Sequence, residues 1–490
     1  MKKIILILVI LCSIISINAY SQQARSNHSY NNLAFTQLPT VTISGYIDVN
    51  GAHVKQEEGY SERELLNVFT YEEIYDEIHL TTGKMKNKHP EDNIMAVDAS
   101  LMFRVQGIND FGLLYGAVME FNANSTYDSW NKDINTTKSY LYLETFLGKI
   151  EFGSELGASQ KMKVDASNIA RGPGGITGKY LNYINLPSIV NKDAEDQGAI
   201  MTGVIDIPEF ILIPQLPTGH GGYAMGFNNL LYQCDINGNQ KIDTGDEYQC
   251  FEKGSGTNYN LYFQEMENAV KISYYTPSIY GFQLGISYTP DTGNKGVAGR
   301  ISTRLDTGDI DELIQFGATF NQTFYGLGFS LSFTAEKGTS ESGFVKINQY
   351  GEEEFESYRQ DLEAYQIGGV LTYFGLSVGG SFGRWQDSLQ YKITPEDTVL
   401  RNNNAEYYTF GIAYEFRGFN MSFTHIRSKF RENEYSASSF GVDYTMANGL
   451  LPYVEVTEYK FKSFDPIKDD TKQIIDNEGL VVLVGFLLNF

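Results

Sequence analysis

The sequence predicts an all-β fold, a transmembrane antiparallel β-barrel of sixteen strands. Three observations predict it. The chain ends in Gly479-Leu-Val-Val-Leu-Val-Gly-Phe-Leu-Leu-Asn-Phe490, a run apolar on both faces with an aromatic at its tip. Segments of alternating apolar and polar residues recur along its 490 residues. The connections between them switch regularly between short turns and long polar stretches. A closed sheet has a use for such a last strand, because pairing it with the first removes both edges. Taken alone, the terminal run also fits a buried central strand of a soluble sheet.

Composition agrees with strands rather than spanning helices. Tyr (34), Phe (31) and Gly (48) are abundant, and Cys (3) is scarce. Beyond the N-terminus no run approaches the roughly 20 apolar residues of a membrane helix. Membrane strands escape hydropathy averages because only alternate residues face lipid, so a mean hydropathy of -0.27 is compatible with them. Met1-Lys2-Lys3, the apolar run 4–17 and Asn18-Ala19 have the order of a signal peptide, residues 1–19, with cleavage after Ala19 or as late as Ser21. Cys12 follows Leu11 inside that run, which does not read as a lipoprotein signal. Residues 20–39 form a polar leader, and 40–490 form the barrel. The net charge of -23 argues against nucleic acid as a partner. It fits a surface exposed to divalent cations or a pore favouring cations. Acidic loops that only aid solubility are the plainer reading.

The strands follow in order. In 40–49, Val41, Ile43, Ile47 and Val49 oppose Thr42, Ser44, Tyr46 and Asp48. In 93–107, Met95, Val97, Ala99, Leu101, Phe103 and Val105 oppose Asp98, Ser100, Arg104 and Gln106. After the tight turn Ile108-Asn-Asp110, the strand 111–122 sets Leu113, Tyr115, Ala117, Met119 and Phe121 against Gly116, Glu120 and Asn122. Six hairpins come next: 137–147 with 149–157, 269–275 with 280–289, 313–323 with 327–335, 365–373 with 376–385, 406–416 with 419–424, and 436–446 with 450–461. The terminal run completes an even count. Short turns at one end and long acidic loops at the other match an outer-membrane barrel with periplasmic turns and extracellular loops.

Two stretches carry a family resemblance. Ser139-Tyr-Leu-Tyr-Leu-Glu-Thr-Phe-Leu-Gly-Lys-Ile-Glu-Phe-Gly153 resembles the fourth and fifth strands of the Gram-negative general porins. The hairpin around Thr276-Pro-Ser-Ile-Tyr-Gly281 resembles their sixth and seventh. Gly485, Leu488 and Phe490 fit the terminal assembly signal, although Leu483 stands where a polar residue is usual. The resemblance implies a homotrimeric barrel in the outer membrane of a Gram-negative bacterium, embedded in lipid. It implies a water-filled pore for small hydrophilic solutes and ions, with the loop after the fifth strand folded inward as the constriction. That loop runs here over about 158–268, far beyond the family norm, and 161–171 is the part expected to turn inward. A non-conducting barrel that displays calcium-stabilised loops, and a substrate-selective channel, are the alternatives.

Permeation needs only a polar lumen whose charges set a local field. Alternation places Asp48, Asp98, Arg104, Glu120, Lys149, Glu151, Lys271, Glu415 and Asp443 on the inner face. Arg104 and Lys149 are expected to oppose an acidic loop residue such as Asp165 across the narrowing. Within the long loop, Asp235, Asn237, Asn239, Asp243 and Asp246, with the Lys241 carbonyl, take the ligand spacing of an EF-hand Ca2+ loop. Gln240 replaces the usual Gly, Asp246 replaces the bidentate Glu, and no flanking helices are evident. An Asx-rich turn without an ion is the alternative. Cys234 and Cys250 bracket this stretch and are expected to form a disulfide after export, worth about 3 kcal/mol by loop constraint. The apolar stretch 204–215 either packs in the barrel mouth or at a subunit contact, or simply holds the loop together. Hydrolase, zincin and Walker-type motifs are absent, and the 6 His are scattered, so the sequence does not read as an enzyme.

Overall fold

A computed structural model describes residues 39–57, 93–122, 135–184, 210–219, 269–292, 310–340, 360–388, 405–430, 432–464 and 472–490, with backbone pairs or short strands at 64–74, 77–86, 187–191, 204–206, 223–224, 232–233, 249–250, 343–347 and 353–357. The signal peptide, all of the leader but its last residue, Cys234 and the calcium-loop candidates Asp235, Asn237, Asn239, Lys241, Asp243 and Asp246 lie outside the described residues. Of Cys250 only the backbone is described; Gln249–Cys250 pairs with Tyr232–Gln233 at the neck of that stretch.

Sixteen antiparallel strands close into one barrel. They are β1 (Thr40–Gln56), β2 (Asn93–Ile108), β3 (Leu114–Asn122), β4 (Asn135–Thr145), β5 (Gly148–Ser154), β6 (Val270–Tyr275), β7 (Phe282–Asp291) and β8 (Ile310–Phe324). Then come β9 (Leu327–Ser340), β10 (Leu362–Tyr373), β11 (Leu376–Gln386), β12 (Ala405–Phe416), β13 (Phe419–Phe430), β14 (Asn433–Tyr444), β15 (Leu450–Lys462) and β16 (Glu478–Asn489). Each pairs with its neighbours in sequence, and β16 pairs with β1 from Tyr46–Asn489 to Gln56–Gly479. Phe490 extends this seam: its N–H donates to Gly45 O at 3.0 Å, and Gly45 N–H donates back at 2.9 Å.

The faces divide as a membrane barrel requires. Val41, Ile43, Leu141, Phe152, Ile367, Phe410 and Phe486 point outward and are exposed, while Ser273, Gln315, Thr334, Gln366, Ser422 and Thr457 point inward and are buried. At the short-turn end, Tyr325-Gly326, Phe374-Gly375 and Arg417-Gly418 each join paired strands as two-residue loops with both residues at positive φ. That is the mirror-image turn whose twist suits a hairpin. Placing Tyr325 and Phe374 at φ 49 and 45 is unusual for side chains of that size. Both are fully or largely exposed, at the level where aromatic rings settle between lipid and water.

Several strands outrun their expected ends. β1 continues from 49 to Gln56, β9 from 335 to Ser340, and β13 from 424 to Phe430. On these extensions the outward positions become polar: Lys55, Lys337, Arg427 and Lys429. The inward positions become apolar: Ala52, Val54, Ile426 and Phe430 are buried. The pattern inverts because the wall has left the lipid while its interior is filled. This inversion also accounts for the two-sided apolar terminal strand. Val484, Phe486 and Leu488 are exposed on the outside, whereas Val481 and Leu483 are buried in a cluster inside the barrel with Tyr180, Phe210, Tyr453 and Phe461.

Leu483→Ala is therefore expected to destabilise the barrel by about 2–5 kcal/mol, as for a packed core position, and Val484→Ala by clearly less. Urea unfolding in detergent micelles measures both; equal losses would contradict a packed interior behind β16.

Candidate pore constriction

What fills the barrel is the chain that follows β5. Residues 155–184 turn inward and run along the inner wall from β6–β9 round to β16 and β1. They form α1 (Ala158–Lys161) and three short 3₁₀ turns, Ala166–Ile169, Gly175–Thr177 and Lys179–Asn182. A chain this irregular leaves backbone N–H groups without partners of its own. The wall supplies them almost strand by strand. Ala158 N–H donates to Ser287 Oγ of β7 (2.8 Å), Val164 to Ser332 Oγ of β9 (2.8 Å) and Ala166 to Thr409 Oγ1 of β12 (3.4 Å). Arg171 N–H reaches Ser422 Oγ of β13 (2.8 Å), Gly172 reaches Asp443 of β14 (2.9 Å) and Gly175 reaches Glu455 of β15 (2.8 Å). At the far end the Tyr183 hydroxyl donates to Asn50 of β1 (2.5 Å). Burial, and then the charge of Asp48, pushes that phenol up to about 12, so it keeps its proton. The approach is close: a Cβ on Gly368 would overlap the Val164 carbonyl, and one on Gly441 would overlap that of Arg171.

A second segment, 210–219, lies over the first. Phe210 and Leu212 enter the cluster behind β14–β16, while Ile211 and Leu216 enter one with Trp385, Tyr407 and Phe430. Its carbonyls accept from Ser428 Oγ to Ile211 O (2.6 Å), Lys163 Nζ to Pro214 O (2.6 Å) and Trp385 Nε1 to Gln215 O (2.8 Å). The apolar stretch 204–215 thus has its last six residues packed inside the barrel. Glu336 of β9 ties both segments to the wall. Its buried carboxylate accepts from Ser159 Oγ (2.5 Å), Gln160 Nε2 (3.0 Å), Thr218 Oγ1 (2.6 Å), Thr218 N–H (3.2 Å) and Gln315 Nε2 (3.1 Å).

Two segments thus lie inside the barrel, fastened to its wall by inward polar side chains. Residues 10–206 and 224–463 match the model of the Gram-negative porin family. This chain belongs to that family. It is an outer-membrane porin. Its curated relatives include uncharacterized proteins of Rickettsia bellii, 26% identical over 388 residues with 72% of this chain and 76% of the relative covered, and of Rickettsia felis, 25% identical over 393 residues with the same coverage. Among solved structures it is similar to an anion-selective porin from Comamonas acidovorans, at 14% identity and a TM-score of 0.48. It is also similar to a mutant Rh. blastica porin at 11% and 0.46; each pairing covers 92% of this chain and 100% of the other.

The porin's expected pore residues divide into two groups. Asp98, Glu120, Lys149, Glu151 and Glu415 stand on the inner face, as do Asp48 and Asp443. Asp48 and Asp98 hold Lys179 of the inner loop at 2.8 and 2.9 Å, Glu120 pairs with Lys138 at 2.8 Å, and Glu415 meets Arg171 at 3.6 Å. Arg104 is exposed and shares a register row with Val118 and Tyr140. Lys271 is on the inner face but buried beneath the root of the loop, donating to the carbonyls of Glu155 and Ala269. Asp165 is the correction. It is fully buried, accepts from Ser167 N–H at 2.7 Å and caps its own 3₁₀ turn in a capping box with Asn168, so it does not oppose Arg104 or Lys149 across the opening. The loop's partly exposed charges among its described residues are Lys161, Lys163, Arg171 and Lys179, all basic.

Sequence reasoning missed Glu336 and Glu455. Ser332, Thr334 and Glu336 share the inner face, so carrying the alternation of β9 one step beyond Ala335 would have found the first. Glu455 lies in period with Tyr453 and Thr457. Glu336→Ala leaves several buried donors without an acceptor, each worth about 1–3 kcal/mol. The expected result is faster protease cleavage within 155–219 while the barrel keeps its heat-modifiable gel mobility. Unchanged cleavage would show that Glu336 is not what fastens the two segments.

Proposed function

We propose that this porin passes small hydrophilic solutes and ions by diffusion through the space left between the inner segments and the wall of β1–β5. The observation that carries the reading is the inner loop itself. It lies inside the barrel against a polar inner face, and the partly or fully exposed Asp98, Arg104, Glu120 and Lys149 on the inner face of β1–β5 support a passage on that side. The overall charge of -23 favours cations at the entrances, and a weak cation preference at low salt follows from it. The working unit is a homotrimer in outer-membrane lipid, after cleavage of a signal peptide. The stretch Asp235–Asp246 binds Ca2+ and, with a Cys234–Cys250 disulfide, stiffens the outer part of the long loop.

Reconstitution into planar bilayers tests this. Current steps in groups of three, with reversal potentials favouring potassium over chloride in dilute KCl, are expected. Calcium chelation is expected to raise the current noise without abolishing conduction. An intact barrel that carries no current would overturn the channel reading in favour of a surface-display role.

A further inference from the structure

We propose that the passage holds a binding station for small oxyanions, meaning phosphate or carboxylate groups, formed by Lys149 of β5 and Lys161 of the inner loop and flanked by Arg104 of β2. The inference rests on the channel reading and names a solute class for its narrow part.

The geometry starts from one carboxylate. Glu151 sits between the two lysines, with Lys149 Nζ 2.8 Å from Oε1 and Lys161 Nζ 2.5 Å from Oε2. The pair is therefore already spaced to bracket an oxyanion. The side chains are layered: Glu151 is 4% exposed, whereas Lys149 is 33% and Lys161 23% exposed. Glu155, 3.7 Å from Lys161, is also buried. The negative groups lie behind and the ammonium groups face the water. An ammonium has three N–H donors, and Glu151 takes one from each lysine, which leaves donors for a second anion on the open side.

The rings fix this arrangement. Lys149 Nζ lies 4.8 Å from the centre of the Tyr142 ring, and Lys161 Nζ lies 5.1 Å from that of Tyr140 and 5.6 Å from that of Tyr275. Cations held over ring faces keep a defined position without being neutralised. Tyr142 is itself held by its hydroxyl, which donates to Gln106 at 3.1 Å. Arg104 lies two strands from Tyr140 in a row of directly paired residues, on the same face. The remaining charged neighbours are Lys271, buried behind Glu155, Glu144, opposite Lys149 in register, and Glu120, diagonal to Arg104 and paired with Lys138. Five cations thus meet four carboxylates, and two of the four are buried beneath the lysines. The acidic balance of the whole chain is reversed at this spot.

The test uses the full-length porin in planar bilayers, with potassium chloride current recorded while inorganic phosphate is added. A saturable fall in current is expected. Lys149→Gln and Lys161→Gln are each expected to raise the half-effective phosphate concentration about tenfold, the size of one charge-assisted hydrogen bond. Lys161→Arg is expected to keep the effect, and Arg427→Gln, on the outer rim, to leave it unchanged. Heat-modifiable mobility checks that each variant folds, and Lys149→Gln decides the matter if Lys161→Gln does not fold. A wild-type current that phosphate leaves untouched, or a block that neither glutamine variant weakens, would overturn the station while leaving the channel standing. Absence of any wild-type current would overturn the channel reading first.

Discussion

The structure depends on how an irregular chain is kept inside a barrel. Thirty or so residues cross the interior without regular helix or sheet, and buried N–H groups without acceptors destabilise a fold strongly. The solution is a division of labour between backbone and wall. Ser287, Ser332, Thr409, Ser422, Asp443 and Glu455 come from six different strands, and each presents one short side chain to the loop. Small residues beside them, such as Gly368 and Gly441, let the loop backbone lie flat on the sheet. The sheet behaves towards the loop as a neighbouring strand would, with side-chain oxygens in place of carbonyls.

This arrangement explains where the acidic residues go. Glu336, Glu455, Asp443, Asp48 and Glu151 are all engaged by loop atoms, and all five are buried. Their charge is used in fastening the constriction rather than in facing solute. The partly exposed charges of the inner loop are basic. A net charge read from composition therefore does not describe this segment, whose own charges are the opposite of the chain's balance.

The barrel was legible because lipid imposes a period of two on its outer face, and all sixteen strands register in that pattern. Their loop-side ends were not, for the same reason. Once β1, β9 and β13 rise past the lipid, Lys55, Lys337 and Arg427 take outward positions and the signal inverts, although pairing continues. Glu336 falls past the strand end that this pattern gives, although the strand continues to Ser340. The inner faces of Asp98, Glu120, Lys149 and Glu151 followed from alternation, but their partners did not. Lys179 lies more than eighty residues from Asp98, and Val164 lies 168 residues from Ser332. Asp165 gives no sign by periodicity that it caps its own turn, because its partners, Ser167 and Asn168, lie two and three residues on in an irregular loop.

One arrangement bears on the order of events during assembly. The segment 155–184 is made before β6, yet six of the strands whose side chains receive it, from β7 to β15, come later in the chain. Its other partners, Asp48 and Asn50 of β1, Asp98 of β2 and Glu151 of β5, stand on strands made before it. An incomplete sheet can hold only part of this segment. The segment therefore gains its last wall contacts only as β7 to β15 are added and the sheet closes on β1.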